Sequence, residues 1–175
     1  MNRDVPDMND NIRSGSMDKL GGMPHSKASL RLWLKLLSLT MVIEKRVRSG
    51  LENEFDTTLP RFDVMAALER SPQGLSMNEL SKMLMVSNGN VTGVVARLVE
   101  DGFVQRIANL RDRRSVSVQL TRKGRTSFLA MAKAHEQWIE DMMSQLNDAQ
   151  IGNFMRLLRT VRASVDRTPE SPRTK

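Results

Sequence analysis

Apolar residues along this chain fall first at helical spacing, then at alternate positions, then at helical spacing again, between two polar ends. Leu30, Leu34, Leu37 and Met41, continued by Val47, predict a long amphipathic helix ending near Ser49-Gly50. Thr58 followed by Pro60 opens a second helix to about Arg70, with Phe62, Met65, Ala66 and Leu68 as its apolar positions. Ser71-Pro72-Gln73-Gly74 reads as a turn. Ser76-Met77-Asn78-Glu79 has the S-x-x-E form of a capping box and starts a short helix to about Met83, with room for a very short strand before it. Ser87 is an N-cap for a longer helix whose stripe is Val91, Val95, Leu98 and Val99, ending at Gly102 as a left-handed residue. Gly89 and Gly93 lie on the other side of that stripe, where each costs about 1 kcal/mol relative to alanine.

The period then switches to two. Phe103 to Ile107 and Ser115 to Leu120 alternate as strands do, and the polar, basic residues between them make the pair a hairpin. Thr121 caps a long helix to about Ser144. Asn147 and Gln150 form the box that opens a last helix through Ile151, Phe154, Leu158 and Val161. The expected fold is mainly α with a small β-hairpin. Residues 1–26 read as a disordered tail and 166–175 as a second polar tail, around one domain at 27–165.

Totals narrow the chemistry. A chain of 175 residues has room for one domain with a real core, and its net charge of +7 favours an anionic partner. No apolar run reaches about 18 residues and no secretory leader is evident, so the chain is expected in the cytoplasm with no membrane partner. With no cysteine and two histidines, thiolate metal sites and cysteine chemistry are excluded, and His135 reads as a solvated helix residue; no metal or cofactor is expected. Catalysis is not expected either. There is no histidine pair, no phosphate-binding glycine loop and no tyrosine, and the adjacent Glu140 and Asp141 project from different parts of a helix.

The short helix, tight turn and longer helix between Ser76 and Asp101 fit a helix-turn-helix, although any helical bundle contains such a pair. The hairpin that follows makes it a winged helix-turn-helix at 57–121. Between Val104 and Arg125 lie seven basic residues and one acid, a net charge of +6, and a one-sign cluster beside a helix-turn-helix argues for phosphate contact. Arginines on a thin hairpin also suit a minor groove. On the second helix the polar groups are Ser87, Asn88, Asn90, Thr92 and Arg97, of which asparagine suits adenine and arginine suits guanine or phosphate. Residues 90, 93 and 97 share a face, on which Gly93 would let backbone approach the groove.

Asp112-Arg113-Arg114-Ser115-Val116-Ser117-Val118-Gln119-Leu120-Thr121 resembles the D-x-R-x-x-x-V-x-L-T wing signature of the MarR family of bacterial transcription regulators, and Gly124 fits its "LT-x-x-G". Leu80-Ser81, Val91-Thr92 and Arg97 to Val104 are similar to that family's helix-turn-helix, and the resemblance covers about residues 28–165. It implies that Arg114 reaches DNA from the wing and that Asp112 braces the wing by pairing with an arginine, although a plain turn aspartate also fits. Arg111 and Arg113 are candidate phosphate contacts. It further implies a homodimer, with 27–50 and 122–165 as dimerisation helices presenting Leu30, Leu34, Phe154, Leu158 and Val161; the same residues could instead complete a monomer's core. The double-stranded DNA partner would be a pseudo-palindromic operator. The implied function is that of a repressor released by a small anionic effector, an aromatic acid or its coenzyme A thioester. The effector pocket would draw on Arg31, Trp33, Lys35, Leu37, Arg61, Phe62 and Met65. An architectural DNA-binding protein without effector control stands beside this reading.

Overall fold

The computed structural model describes residues 24–108 and 116–168. Contacts divide the chain into two units, 1–42 and 43–175. Helix α1 (Pro24–Phe55) contributes to both. In the first unit its side chains from 27 to 42 are exposed or half-buried, including Trp33, Leu34 and Met41.

In the second unit α1 continues past its expected end at Ser49-Gly50 to Phe55. The reason lies far along the chain. A Cβ on Gly50 would sit 2.7 Å from the Trp138 ring, so this glycine makes room for a neighbour and does not stop the helix. The next residue, Leu51, is fully buried, and about a turn later Phe55 meets Trp138 edge-on at 6.3 Å. Asp56, at φ 48°, turns the chain out of the helix.

Thr58 and Pro60 then start α2 (Leu59–Glu69), whose Phe62, Val64, Met65, Ala67 and Leu68 are all buried. Gly74 (φ 85°) closes the Ser71 turn with a 2.8 Å hydrogen bond to the Ser71 carbonyl. Next come β1 (Leu75–Ser76), α3 (Met77–Leu84) and α4 (Asn88–Glu100). The hairpin is β2 (Val104–Ala108) and β3 (Val116–Leu120), paired antiparallel from Val104↔Leu120 to Ala108↔Val116. The short strand that the sequence left room for does form, and Leu75 pairs with Val118 to give a sheet of order β1-β3-β2. Helices α5 (Arg122–Met143) and α6 (Asp148–Arg167) complete the chain, the latter two residues longer than expected.

One core unites Val47 and Leu51 of α1 with α2, Leu80, Val91, Val95, Leu98, Val104, Val118, Phe128 and Met131. The stripe read from the sequence of α4 is therefore the stripe that packs. No α6 side chain is buried: Phe154, Leu158 and Val161 are about two-fifths exposed, so they do not complete a core within this chain. Of the expected tails, 24–26 belong to α1 and 166–167 to α6, while residues 1–23 and 169–175 and the wing tip at 109–115, with Arg111, Asp112, Arg113 and Arg114, lie outside the described residues.

Candidate nucleic-acid interface and an adjoining cavity

The two helices of the helix-turn-helix are set by local hydrogen bonds. The Ser76 amide donates to Glu79 Oε2 (2.8 Å), and the Glu79 amide donates to Ser76 Oγ (3.3 Å). The Ser76 amide, and after it the Ser76 hydroxyl, which also donates to Oε2 (2.7 Å), hold the Glu79 carboxyl below its ordinary range. The turn is closed by the amides of Met85 and Val86, which donate to the carbonyls of Lys82 (3.3 Å) and Ser81 (3.1 Å). This needs Met85 in the left-handed region (φ 54°), a position usually given to glycine. Ser87 Oγ accepts from the Asn90 amide (3.4 Å) and starts α4.

Ser87, Asn88, Asn90, Thr92, Gly93 and Arg97 are all exposed on α4 or at its cap. They do not all point one way. Asn88 Nδ2 donates to Asn78 Oδ1 on α3 (2.9 Å), and Thr92 Oγ1 donates to the Asn88 carbonyl (2.7 Å). Asn90, Gly93 and Arg97 lie along the wall of a cavity on the other flank.

At the foot of the wing a second cluster forms. Thr121 Oγ1 donates to the Gly102 carbonyl (2.8 Å) and accepts from the Gly124 amide (3.0 Å), while the Thr121 amide donates to the Phe103 carbonyl (3.0 Å). A Cβ on Gly124 would come within 1.9 Å of that same carbonyl oxygen, the physical reason for glycine there. Lys123 donates to the Asp101 carbonyl (2.8 Å) and lies 4.6 Å from the Phe103 ring centre. Arg61 pairs with the Asp101 carboxylate, and Arg125 pairs with Glu69 at 3.0 Å. Arg122, Lys123 and Arg125 thus crowd the first turn of α5, the positive end of the helix dipole. An anionic partner relieves that arrangement.

The cavity, about 660 Å³, lies within the second unit between the start of α2 and the glycine flank of α4. Arg48, Arg61 and Arg97 give it three guanidinium groups, and Asp56 and Asp63 give it two carboxylates. Pro60, Val64, Leu84, Val86, Val91 and Val94 supply apolar wall. Gly89 and Gly93 complete it: a Cβ at either would meet nothing within 4 Å. Arg61 Nε is buried without a hydrogen-bond partner among the described residues. Burial raises the Asp63 carboxyl above its ordinary value, against the opposing pull of nearby His135.

Of the residues expected in an effector pocket, only Arg61 lines this cavity. Phe62 and Met65 belong to the core instead, Phe62 stacking on Phe128 at 5.5 Å and His135 at 5.1 Å. Arg31, Trp33, Lys35 and Leu37 are exposed on α1 in the other unit. Sequence reasoning missed Arg48, Asp56 and Asp63, because no local pattern shows that separate segments will face one another. It also missed Asn78, hidden inside a capping box. His135 is half-buried among aromatic rings and is not a solvated residue.

A helix-turn-helix with a paired wing and a cationic foot defines a winged-helix DNA-binding protein. The comparisons with known proteins agree. The model of the MarR family matches residues 57–116. A solved MarR family transcriptional regulator from Silicibacter pomeroyi is 33% identical with a TM-score of 0.71, covering 82% of this chain and 99% of that one. The transcriptional activatory protein BadR of Rhodopseudomonas palustris is 34% identical over 105 residues, 59% of each chain, so the match spans less than two thirds of that protein. The transcriptional repressor YetL of Bacillus subtilis is 28% identical over 134 residues, 74% of this chain and 78% of that one. The chain belongs to the MarR family and is a transcriptional regulator that binds DNA.

Proposed function

We propose that this regulator acts as a homodimer on a pseudo-palindromic operator and is a repressor released by a small carboxylate-bearing effector held in the α2–α4 cavity. Relatives are named both activator and repressor; repression is the reading adopted here. Dimerisation is supported by α6, a helix of 20 residues with no buried side chain, and by the exposed apolar residues of α1. DNA contact is assigned to Ser87, Asn88, Asn90, Thr92, Gly93 and Arg97, with Arg111, Arg113 and Arg114 on the wing and Asp112 bracing it.

The observation that carries effector control is the cavity itself. It joins guanidinium groups to apolar wall, the chemistry that holds an aromatic carboxylate. One wall is the recognition helix, so an occupant that favours one placement of α4 shifts DNA affinity. Benzoate, phenylacetate and their coenzyme A thioesters, titrated against the protein bound to its selected operator, should release DNA. Arg48→Ala and Val94→Phe should keep operator affinity within about threefold and weaken release by at least about tenfold. Release undiminished in both variants would place the effector elsewhere, and no release by any acid would favour an architectural protein.

A further inference from the structure

The hydrogen bond between Asn88 and Asn78 joins the recognition helix to the helix before it through two exposed carboxamides. We propose that Asn78 is a specificity-positioning residue, holding the Asn88 carboxamide in the orientation that reads an adenine edge. The proposal rests on DNA binding by this helix-turn-helix and adds a residue of α3 to it.

Asn88 is the first residue of α4 after its cap, and the amino-terminal residues of a recognition helix are those that meet base edges. A free asparagine there samples several side-chain orientations, most of them useless for readout. The bond to Asn78 Oδ1 removes that freedom before DNA arrives. It occupies one N–H of the Asn88 amide and leaves the other N–H and Oδ1, and one donor with one acceptor is what adenine N7 and N6–H require. The Asn88 carbonyl is also engaged, accepting from Thr92 Oγ1, so backbone and side chain are fixed together. Asn78 is itself fixed, lying within the first turn that Ser76 and Glu79 cap. Its own N–H groups have no partner among the described residues.

The test is base preference. Wild type, Asn78→Ala, Asn78→Asp, Asn88→Ala and the double alanine variant would each be incubated with a random-sequence duplex pool, and the enriched sites compared position by position. Asn88→Ala should lose a preference for adenine at one position per half-site, on the order of tenfold. Asn78→Ala should lose most of that preference at the same position, and the double variant should be no worse than Asn88→Ala. Asn78→Asp still accepts from Asn88 Nδ2, so it should restore the preference while its charge lowers affinity for all sequences alike. A merely structural role for Asn78 would not give that split. The proposal fails if Asn78→Ala enriches the wild-type site with the wild-type preference, if Asn78→Asp does not rescue, or if Asn88→Ala leaves the preference intact. Wild type enriching no site at all would overturn operator recognition itself, a distinct outcome.

Discussion

At the scale of single residues, two positions show what the backbone demands. Met85 occupies the left-handed region in the helix-helix turn and is 83% exposed, so its side chain contributes almost no packing in return. Met85→Gly should relieve the strain and, after the added freedom of the unfolded chain, stabilise by about 0.5–1 kcal/mol, a rise of a few degrees in Tm. Gly124 is the opposite case. Gly124→Ala drives a methyl into the Phe103 carbonyl and should destabilise by about 3 kcal/mol or more, read as a lower urea midpoint. Neither requirement is written locally in the same way. The turn at Met85 is legible from the helix pattern, but its handedness is not, because the residue there is not glycine. Gly50 shows how a local rule misleads: glycine after a helical run reads as a stop, and only the Trp138 ring explains why it is mid-helix.

At the scale of elements, caps and period carried the reading. Ser76 with Glu79, Ser87, Thr121, and Asn147 with Gln150 all cap where the sequence places them. These signals span three residues each, so no tertiary contact can mask them. The Glu79 cap also has a pH signature. Its carboxyl is held low in the folded state, so its contribution is present above the unfolded carboxylate range and is lost as pH falls through the folded value. Tm should therefore decline on acidification, and Glu79→Gln, which keeps a capping oxygen without the charge, should flatten that decline. An unchanged acid profile in the variant would remove the cap from the account. What the elements could not reveal was the cavity, since its walls come from α1, α2 and α4, and each looks complete alone. Phe62 and Met65, at helical spacing along α2, are buried in the core.

At the scale of the whole molecule, α6 is the unfinished part. Seven large apolar residues, from Ile151 to Val165, stand exposed on a helix whose polar box fixes only its start. Leu158→Asp or Phe154→Asp would bury a charge in any interface made there. Each should weaken self-association by on the order of a hundredfold, measured by sedimentation, while the monomer's melting temperature stays close to wild type. If sedimentation is unchanged in both variants, α6 is not the dimer face. The likeness to the MarR family was visible chiefly in the wing signature and the winged-helix segment, where Gly124 meets a backbone approach that leaves no room for a side chain.

The foot of the wing has a mechanical consequence. One hydroxyl, that of Thr121, reaches the end of the recognition helix at Gly102 while opening the long helix α5, and the Thr121 amide fixes the adjoining Phe103 carbonyl. Lys123 and Arg61 add two more ties to the same corner, both through Asp101. Recognition helix, wing and the start of α5 are thus welded at one joint, as spokes are at a hub. A load on the start of α5 therefore reaches the Gly102 end of the recognition helix and the Phe103 carbonyl at the root of the wing through the same residue, Thr121. The three elements share that one corner, so a substitution at Thr121 loosens all of them at once.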